Sequence, residues 1–398
     1  MRILVISQYF YPENFRINDI AKYLKSRGYQ VDVLTGQPDY PNKKIFKNYY
    51  KNKLAYSTFE KCRIYRLPII SRGSGHPLKL FLNYLTFLLM GLFLSRRILQ
   101  KNSYDIIFTF GTSPITVALV ANYISKIKKA KSILWLLDLW PEVLLDIKSI
   151  NKKIIFILGK FLSEKIYKST DCILVQSKSF KKEVLKYANA KKVIYFPAWA
   201  EELEKKRIKK IKSNFFKIVF TGNIGEAQNF NNILLAANVL KKEKIKWLIV
   251  GSGRFLSKIK EFVIQNKIKN FYLLGHKHQE KISYYHSISD VLLLSLKGTK
   301  YISKTIPGKL QTYLQANKYI LGFVKGESAQ LIIKSKSGSV VDPNRPDLLV
   351  KKIFFLMNNK KLIIKREREI NTRKFVDKFF NKNKLLNFLD KKIIKPLI

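Results

Sequence analysis

Short apolar runs recur along the chain, separated by stretches in which apolar residues return at helical spacing. Ile3-Leu4-Val5-Ile6 is the first run; Ile17, Ile20, Ala21 and Leu24 then mark one helix face that Gly28 closes, and Val31-Asp32-Val33-Leu34 follows. A brief continuous apolar run fits a strand covered on both faces, so this opening predicts a strand, helix, strand unit and the start of a doubly wound α/β sheet. Further strands are expected at Asp105–Phe110, Ser132–Leu137, Cys172–Val175 and Val193–Phe196, with helical patterns between them. From Pro197 to Ser213 the pattern lapses: a proline leads into Glu201-Glu202-Leu203-Glu204-Lys205-Lys206-Arg207 without helical repeats. Beyond it the rhythm restarts at Ile218–Phe220, Trp247–Val250, Phe271–Leu274, Val291–Leu294 and Tyr319–Phe323. The expected organisation is two Rossmann-like domains, 1–200 and 215–372, joined by a linker at 201–214. In the Lys-rich tail, 373–398, Phe375, Phe379, Leu385, Phe388 and Leu389 keep helix-like spacing, which predicts a terminal helix docked back on the first domain.

One segment breaks the rhythm. Leu80 to Leu94 is apolar almost all round, with Lys79 before it and Arg96-Arg97 after it. Residues 80–94 fall short of the roughly 20 needed to cross a bilayer. Two readings stay open: a helix buried in the first domain, or one lying in a membrane surface with its basic flanks on anionic headgroups.

Composition narrows the class. A length of 398 residues suits two domains, and 47% hydrophobic with 13% aromatic residues excludes a disordered chain. The charge of +49, from 76 Lys and Arg against 27 Asp and Glu, favours an anionic partner such as membrane lipid, nucleic acid or a phosphorylated substrate. The lysines are spread through nearly every segment beside Ile and Asn, a pattern that biased genome composition also produces. No zinc finger, basic zipper or aromatic RNA-binding strand is visible. Cys62 and Cys172 lie far apart and suggest no disulfide framework, and the apolar start at Ile3–Ile6 is too short for a signal peptide, so a cytoplasmic protein is expected.

Candidate chemistry gathers where strands end. Val219-Phe220-Thr221-Gly222-Asn223-Ile224-Gly225-Glu226-Ala227-Gln228 runs from a strand through glycines toward a helix marked by Phe230, Ile233 and Leu234. Such a junction offers backbone N–H groups and the positive end of a helix dipole to a phosphate, or is simply a tight connection. After the first strand, Pro12 to Asn18 gathers Glu13, Asn14, Arg16 and Asn18, more polar groups than a helix cap needs. Asp138-Leu139-Trp140-Pro141-Glu142 follows another strand, where Asp138 can orient a substrate hydroxyl or help it lose its proton, or cap a helix that Pro141 begins. The glycines of Gly251-Ser252-Gly253-Arg254 would let a ribose or base lie against the chain, with Arg254 facing phosphate or solvent. His276 and His278 resemble a metal pair but lack a nearby third ligand. Ser303-Lys304-Thr305-Ile306-Pro307-Gly308-Lys309 enters a helix, so Lys309 and the helix N-terminus can hold a diphosphate together.

Gln8-Tyr9-Phe10-Tyr11-Pro12-Glu13-Asn14-Phe15-Arg16, Asp138-Leu139-Trp140-Pro141-Glu142, Val175-Gln176-Ser177, Tyr195 to Glu201, Thr221 to Gln228, Gly251-Ser252-Gly253 and Pro307 to Leu314 occur in this order. Together they resemble family 4 glycosyltransferases of the GT-B fold, and in particular the bacterial branch described as N-acetyl-L-fucosaminyltransferases of O-antigen and capsule synthesis. The resemblance covers nearly the whole chain. It departs from the family at several places. The paired glutamates usual before and within the helix at 310–316 are replaced by Lys304 and Thr312, and the Arg and Lys common after the strand at 218–220 by Asn223 and Gln228.

The resemblance implies two Rossmann-like lobes facing a central cleft and a retaining, metal-independent transfer from a nucleotide sugar, expected to be UDP-linked, with no cofactor. Donor contacts are then expected from Gly222, Asn223, Gly225, Glu226, Gln228, Gly253, Arg254, Lys304, Lys309 and Thr312. Acceptor contacts are expected from Glu13, Asn14, Arg16, Asn18, Asp138 and Glu142, with Asp138, Lys309 and Arg16 closest to the chemistry. The acceptor is expected to be a polyprenyl-diphosphate-linked saccharide at the inner face of the cytoplasmic membrane, with an anionic membrane surface and no nucleic acid as partner. Two other classes would fit parts of the pattern. A nucleic-acid-binding protein fits the charge, and a nicotinamide-dependent sugar-nucleotide enzyme fits the Rossmann rhythm but lacks Gly-x-Gly-x-x-Gly after the first strand.

Overall fold

A computed structural model describes residues 1–40, 45–73, 76–146, 151–201 and 214–397 of the chain. It divides into two compact units, one formed by Met1–Phe196 with Asn383–Ile398, the other by Pro197–Lys382. The linker expected at 201–214 lies almost wholly outside the described residues.

The first unit carries β1 (Arg2–Ile6), β2 (Gln30–Gly36), β3 (Thr58–Phe59), β4 (Cys62–Leu67), β5 (Ile106–Gly111), β6 (Lys131–Leu136), β7 (Cys172–Val175) and β8 (Val193–Tyr195). They form one sheet in the order β3-β4-β2-β1-β5-β6-β7-β8, parallel except for the β3–β4 hairpin. Ile3, Leu4, Val5 and Ile6 have no solvent exposure, as a central parallel strand covered on both faces requires. The β3–β4 hairpin is not foreseen by apolar runs. Arg63 and Arg66 interrupt β4, which buries only Cys62, Ile64 and Leu67 and so reads as a mixed segment.

The main helices of this unit are α1 (Arg16–Ser26), α2 (Lys47–Lys51), α3 (Pro77–Ile98), α4 (Val117–Lys128), α5 (Lys152–Ser169) and α6 (Lys178–Val184). The connections through α3, α4 and α5 all advance in one direction across the sheet, so right-handed crossover puts these helices on one face, with α4 packed between its neighbours. The apolar run at 80–94 is the middle of α3, which reaches 22 residues because Pro77 opens its first turn and Arg96 and Arg97 continue it. By length and composition alone α3 could therefore cross a membrane, with a mean hydropathy of 1.7, contrary to the expectation from the shorter run. It is also not a buried helix. Its inward stripe is Asn83, Phe87, Gly91 and Ser95. Asn83 accepts from Gln8 Nε2 at 2.7 Å and donates to Asp39 Oδ2 at 3.1 Å and to the Ile70 carbonyl at 2.6 Å, holding the N-terminal half of the helix at the carboxyl edge of the sheet.

The second unit is a wholly parallel sheet of β9 (Phe216–Thr221), β10 (Ile245–Val250), β11 (Phe271–Gly275), β12 (Val291–Ser295), β13 (Tyr319–Phe323) and β14 (Gly338–Val341), in the order β11-β10-β9-β12-β13-β14. Its helices include α7 (Phe230–Val239), α8 (Leu256–Gln265), α9 (Gln279–Ile288) and α10 (Gly308–Gln315). Phe216, Ile218 and Phe220 on one side of β9 and Val219 on the other enter separate cores, so β9 is buried on both faces. Only β14, short and half-exposed, escapes the apolar pattern.

In each sheet the strand order reverses about the first strand: β2 and β5 flank β1, and β10 and β12 flank β9. A doubly wound sheet leaves a crevice at the carboxyl end of such a strand, because the flanking crossovers leave on opposite faces. The sequences that follow β1 and β9 are the two loops with the densest polar motifs.

The chain ends in the first unit. After a helix at Lys382–Phe388 it widens to a π-turn, Leu389–Ile394, where Asp390 is fully buried. Asp390 accepts from Tyr29 Oη at 2.5 Å and from Arg27 Nε at 3.3 Å, so the segment is pinned to the end of α1 by a charge that has no solvent. Removing one partner of a buried pair strands the other polar groups. Asp390→Ala is expected to lower unfolding stability by about 3 kcal/mol and to open the segment 389–397 to protease. Equilibrium denaturation and timed proteolysis read both effects.

Candidate functional site

In the second unit the site is built on the last residue of β9. The Thr221 N–H donates to Tyr313 Oη at 2.8 Å, and Thr221 Oγ1 lies 3.0 Å from His286 Nε2. The rings of His286 and Tyr313 meet edge to face at 5.3 Å. This knot joins β9 to α9 and α10 without solvent. Burial, with the neighbouring Lys318 cation, lowers the His286 pKa to about 4, so the imidazole is neutral at physiological pH.

Tyr313 stands one helical turn after Lys309, so anchoring Tyr313 fixes where Lys309 points. Its Nζ is sealed from solvent, lies 3.9 Å from the centre of the Phe220 ring, and has no hydrogen-bond partner among the described residues. Burial alone drops its pKa from 10.5 to about 7. A ring face offers weaker compensation than an anion would. Gly222 is next to this nitrogen: with φ +125° it adopts a backbone conformation costly to other residues, and a Cβ there would sit 3.4 Å from Lys309 Nζ.

The glycines at 251 and 253 let the two loops of this unit pack closely. A Cβ on Gly251, at φ +152°, would overlap the Gly222 carbonyl, and one on Gly253 would overlap the carbonyl of Ile224. The loops are laced together by Gly222 N–H to Val250 O and Ile224 N–H to Ser252 O, both 2.9 Å. The turn after β9 is also longer than expected. A 3-10 turn at Glu226–Gln228 and a left-handed Asn229 at φ 56° intervene before α7 starts at Phe230, so no helix N-terminus lies at Gly222–Gly225. Gln228 Oε1 accepts from the Gly225 N–H at 2.9 Å, and Glu226 pairs with Lys297 at 3.7 Å, so both side chains brace the loop. Gly222 and Asn223 are exposed at its tip, and Arg254 is exposed on the neighbouring loop. Lys304 closes the short 3-10 turn Ile302–Lys304, and Thr312 Oγ1 donates back to the Gly308 carbonyl at 3.2 Å. The anion-binding capacity of this unit thus rests on Lys309, the start of α10 and the exposed loop tip.

In the first unit Glu13 is a fastener of the loop. Its Oε2 accepts from Phe10 N–H at 3.1 Å, and its Oε1 from the N–H groups of Asp39 and Tyr40 at 2.9 and 2.7 Å. Burial outweighs these amides and lifts its pKa to about 7. Both oxygens of this carboxylate are thus committed to holding the loop. Asn18 Nδ2 donates to the Glu13 carbonyl at 2.7 Å, and α1 begins after Phe15 with no side-chain cap, so neither Asn14 nor Asn18 caps it. Asn14 is exposed and Arg16 half-exposed at the first position of α1; Asn14 and Asn18 border a surface pocket of about 300 Å³ beside Tyr11, Asp19 and Lys22.

Asp138 sits at the carboxyl end of β6, half-buried, its Oδ2 accepting from the Ser113 N–H at 2.7 Å. Burial raises its pKa, against the two hydrogen bonds from Ser113. Trp140 Nε1 donates to Ser113 Oγ at 3.2 Å. Beside this carboxylate stands a group that the sequence pattern does not reveal. Tyr84 interacts electrostatically with Asp138, Asp39 and Arg72 and is hydrogen-bonded to Tyr9. The Arg72 guanidinium lies 5.0 Å from the Tyr40 ring centre and 5.9 Å from that of Tyr9, and the backbone N–H of Arg72 donates to Asp39 Oδ2 at 2.8 Å. Asp39 is fully buried, with one oxygen lacking a hydrogen-bond partner among the described residues, and burial raises its pKa. Aromatic faces, a guanidinium and carboxylates of raised pKa form a setting suited to a sugar and an anionic group. Glu142 is set apart from it, buried beside Tyr167 and Tyr187. Among the described residues no group of three or more His, Cys, Asp or Glu could hold a metal ion, and the rings of His276 and His278 are 6.2 Å apart.

Two family descriptions match the chain in succession, "Glycosyltransferase Family 4" over residues 15–197 and "Glycosyl transferases group 1" over residues 201–374. The chain is 23% identical over 296 residues to the "Putative colanic acid biosynthesis glycosyl transferase WcaI" of Escherichia coli (strain K12), a match covering 68% of this chain and 70% of that protein. It is 23% identical over 256 residues to the "Probable glycosyltransferase WbjE" of Pseudomonas aeruginosa, covering 61% of this chain and 64% of that one. The fold is similar to that of sucrose-phosphate synthase from Thermosynechococcus elongatus, with a TM-score of 0.76 at 14% identity over 99% of this chain and 98% of that one. It is also similar to Anabaena HepE in complex with UDP and glucose, with a TM-score of 0.68 at 12% identity over 99% of this chain and 100% of that one.

The laced glycine loops generate a test. Gly251→Ala places a methyl group where the Gly222 carbonyl stands, in a backbone conformation that alanine rarely adopts. It is expected to cost at least about 2 kcal/mol of stability and to weaken nucleotide binding by shifting Gly222. Thermal melting and a binding titration read the two effects.

Proposed function

The chain belongs to glycosyltransferase family 4, and from that membership we propose that it moves a sugar from a nucleoside-diphosphate donor to a lipid-linked saccharide during bacterial surface-polysaccharide synthesis. The surface-polysaccharide context is supported by the name of the similar WcaI protein. Motif resemblance makes N-acetyl-L-fucosamine the first sugar to test, and the UDP in the similar HepE structure makes uridine the first base.

The observation that carries the reading is Lys309. An ammonium held in a sealed site without a hydrogen-bond partner among the described residues, beside an exposed glycine tip at the switch strand, is arranged for an anion. In the proposed reaction the bond from the anomeric carbon to the donor's distal phosphate breaks, and a bond to an acceptor hydroxyl oxygen forms on the same face of the sugar. The hydroxyl proton passes to the departing phosphate oxygen, and the nucleoside diphosphate leaves. Lys309, with the first amides of α10, stabilises the charge that grows on that diphosphate. The missing basic side chains at Asn223 and Gln228 leave Lys309 a larger share of this task. Asp138, held at the carboxyl end of β6 by the Ser113 N–H, orients the acceptor hydroxyl in the first unit.

Lys309→Met is expected to lower turnover by about 100- to 1,000-fold while keeping the thermal transition; full activity in that variant rules the assignment out. A second expectation concerns protons. Lys309 is neutral above about pH 7 in the empty site, and an approaching diphosphate favours its charged form. Nucleoside-diphosphate binding should therefore take up a proton at about pH 8, weaken as pH rises through that range, and lose the uptake in Lys309→Met. Titration calorimetry in buffers of different ionisation heat measures it.

A further inference from the structure

Two helices of the first unit are turned inside out. The stripe of α3 that faces the protein is Asn83, Phe87, Gly91 and Ser95, while Leu78, Phe81, Leu89 and Phe93 face outward, with Phe93 72% exposed. α5 repeats the arrangement: Gly159 and Ser163 pack inward with Ile166 and Tyr167, while Ile154, Ile157, Leu158 and Phe161 face outward, with Phe161 69% exposed. The small inward residues let these helices lie close to the rest of the unit. A Cβ on Gly91 would stand 2.7 Å from Val120 of α4, and one on Gly159 would overlap Leu144. α3, α4 and α5 share one face of the sheet, with α4 between the other two, so the outward apolar residues of α3 and α5 point away from the same face, and α4 adds Ile127. Large apolar side chains left in water on two helices of the same face ask for a cover.

Charge selects the cover. Lys79, Arg96 and Arg97 flank these residues on α3, which contains no acidic residue, and Lys153, Lys160, Lys165 and Lys168 stand on α5, whose single acid, Glu164, is paired with Lys168 at 2.9 Å. A second copy of a chain carrying +49 would bring like charges together around the apolar centre. A membrane-spanning role for α3 would require breaking the Asn83 bonds to Gln8, Asp39 and Ile70 and the close seat of Gly91 on α4. We propose that α3 and α5 together form a plate that sinks into one leaflet of an anionic bilayer, apolar side chains among the acyl chains and lysines and arginines at the headgroups. This deepens the reading of a lipid-linked acceptor, and rests on it for its purpose. The plate meets the acceptor-side group at two points: Asn83 of α3 bonds Asp39, and Gly159 of α5 packs on the segment that follows Asp138. A lipid diphosphate lying in the headgroup layer would thus be presented to Arg72 and Asp138 without leaving the membrane.

The test is co-flotation of the full chain with vesicles of neutral phosphatidylcholine or of phosphatidylcholine with phosphatidylglycerol, for the unaltered protein and for F81E/F93E and I157E/F161E. Nucleotide binding and melting temperature are measured alongside. The proposal expects flotation with the anionic vesicles, a loss of at least about 100-fold in partitioning for either double variant, and unchanged nucleotide binding and melting. Charges on α5 failing to weaken flotation would overturn the two-helix plate, and so would resistance of the unaltered protein to alkaline extraction, which marks a spanning helix. A dimer in solution that the same variants split into monomers would assign the plate to a second copy and overturn it too. Flotation as expected, with no sugar transfer to any lipid-linked acceptor, would leave the plate standing and remove the proposed function instead.

Discussion

An ammonium nitrogen with no hydrogen-bond partner among the described residues, pressed against the face of Phe220, is the constraint around which the second unit is arranged. Burying such a group costs free energy, and the cost appears as a pKa drawn down to about 7. The surroundings keep the nitrogen in place all the same. Tyr313, a turn further along α10, is held by the end of β9 and by a neutral His286, so the helix cannot roll to release Lys309 to solvent. Gly222 keeps the approach to the nitrogen free of a side chain, and its own conformation depends on Gly251 across the loop. Each of these features is unfavourable or neutral for an empty protein. They become coherent when the site receives a polyanion, which restores the ammonium and uses the space.

The first unit answers a different demand with the same topology. Its switch strand also ends in a loop that needs fastening, but here the fastener is a carboxylate. Glu13 gathers three backbone N–H groups, so the polar side chains of the loop are divided between holding it and facing outward. The outward-facing chemistry comes from elsewhere: Asp138 after β6, and Tyr9, Tyr84 and Arg72 around the buried Asp39. Asn83 belongs both to this group and to the inward stripe of α3, which makes the exposed plate and the polar group parts of one packed arrangement.

Apolar runs located nearly every central strand because a parallel strand covered on both faces has no alternative composition. They missed β4, which Arg63 and Arg66 interrupt, and β14, where the strand is short and half-exposed. Motifs at strand ends placed Lys309 and Asp138 at carboxyl edges, since chain order alone fixes which loop follows which strand. Side-chain commitments were not legible. Gln228 and Glu13 look like ligand contacts in sequence and brace their own loops in three dimensions, and the close approach of Gly251 to Gly222 joins residues that no local pattern connects. Arg72 lies in an irregular stretch between strand and helix, where neither periodicity points to it.

Helix patterning itself has a limit that α3 and α5 make plain. A hydrophobic stripe identifies the buried face of a helix only when water is the medium on the other side. In α3 the rule is inverted: Asn83 and Ser95 are inside, while Phe81 and Phe93 are outside. A sequence that is apolar all round satisfies both a core and a leaflet, so periodicity cannot choose between them. What distinguishes them is the size of the inward residues. A core helix fills space with large side chains, whereas glycine on the inward stripe lets the helix seat close on its neighbour, Gly91 on Val120 of α4 and Gly159 on Leu144, with bulky residues on the far side. The same economy on α5, with Gly159 and Ser163 inside and Phe161 outside, is hard to reconcile with a helix whose outer face was shaped for water. It also gives part of the excess of positive charge a definite place. The lysines and arginines around the plate meet an anionic surface from outside, while Lys309, alone and sealed, awaits an anion within.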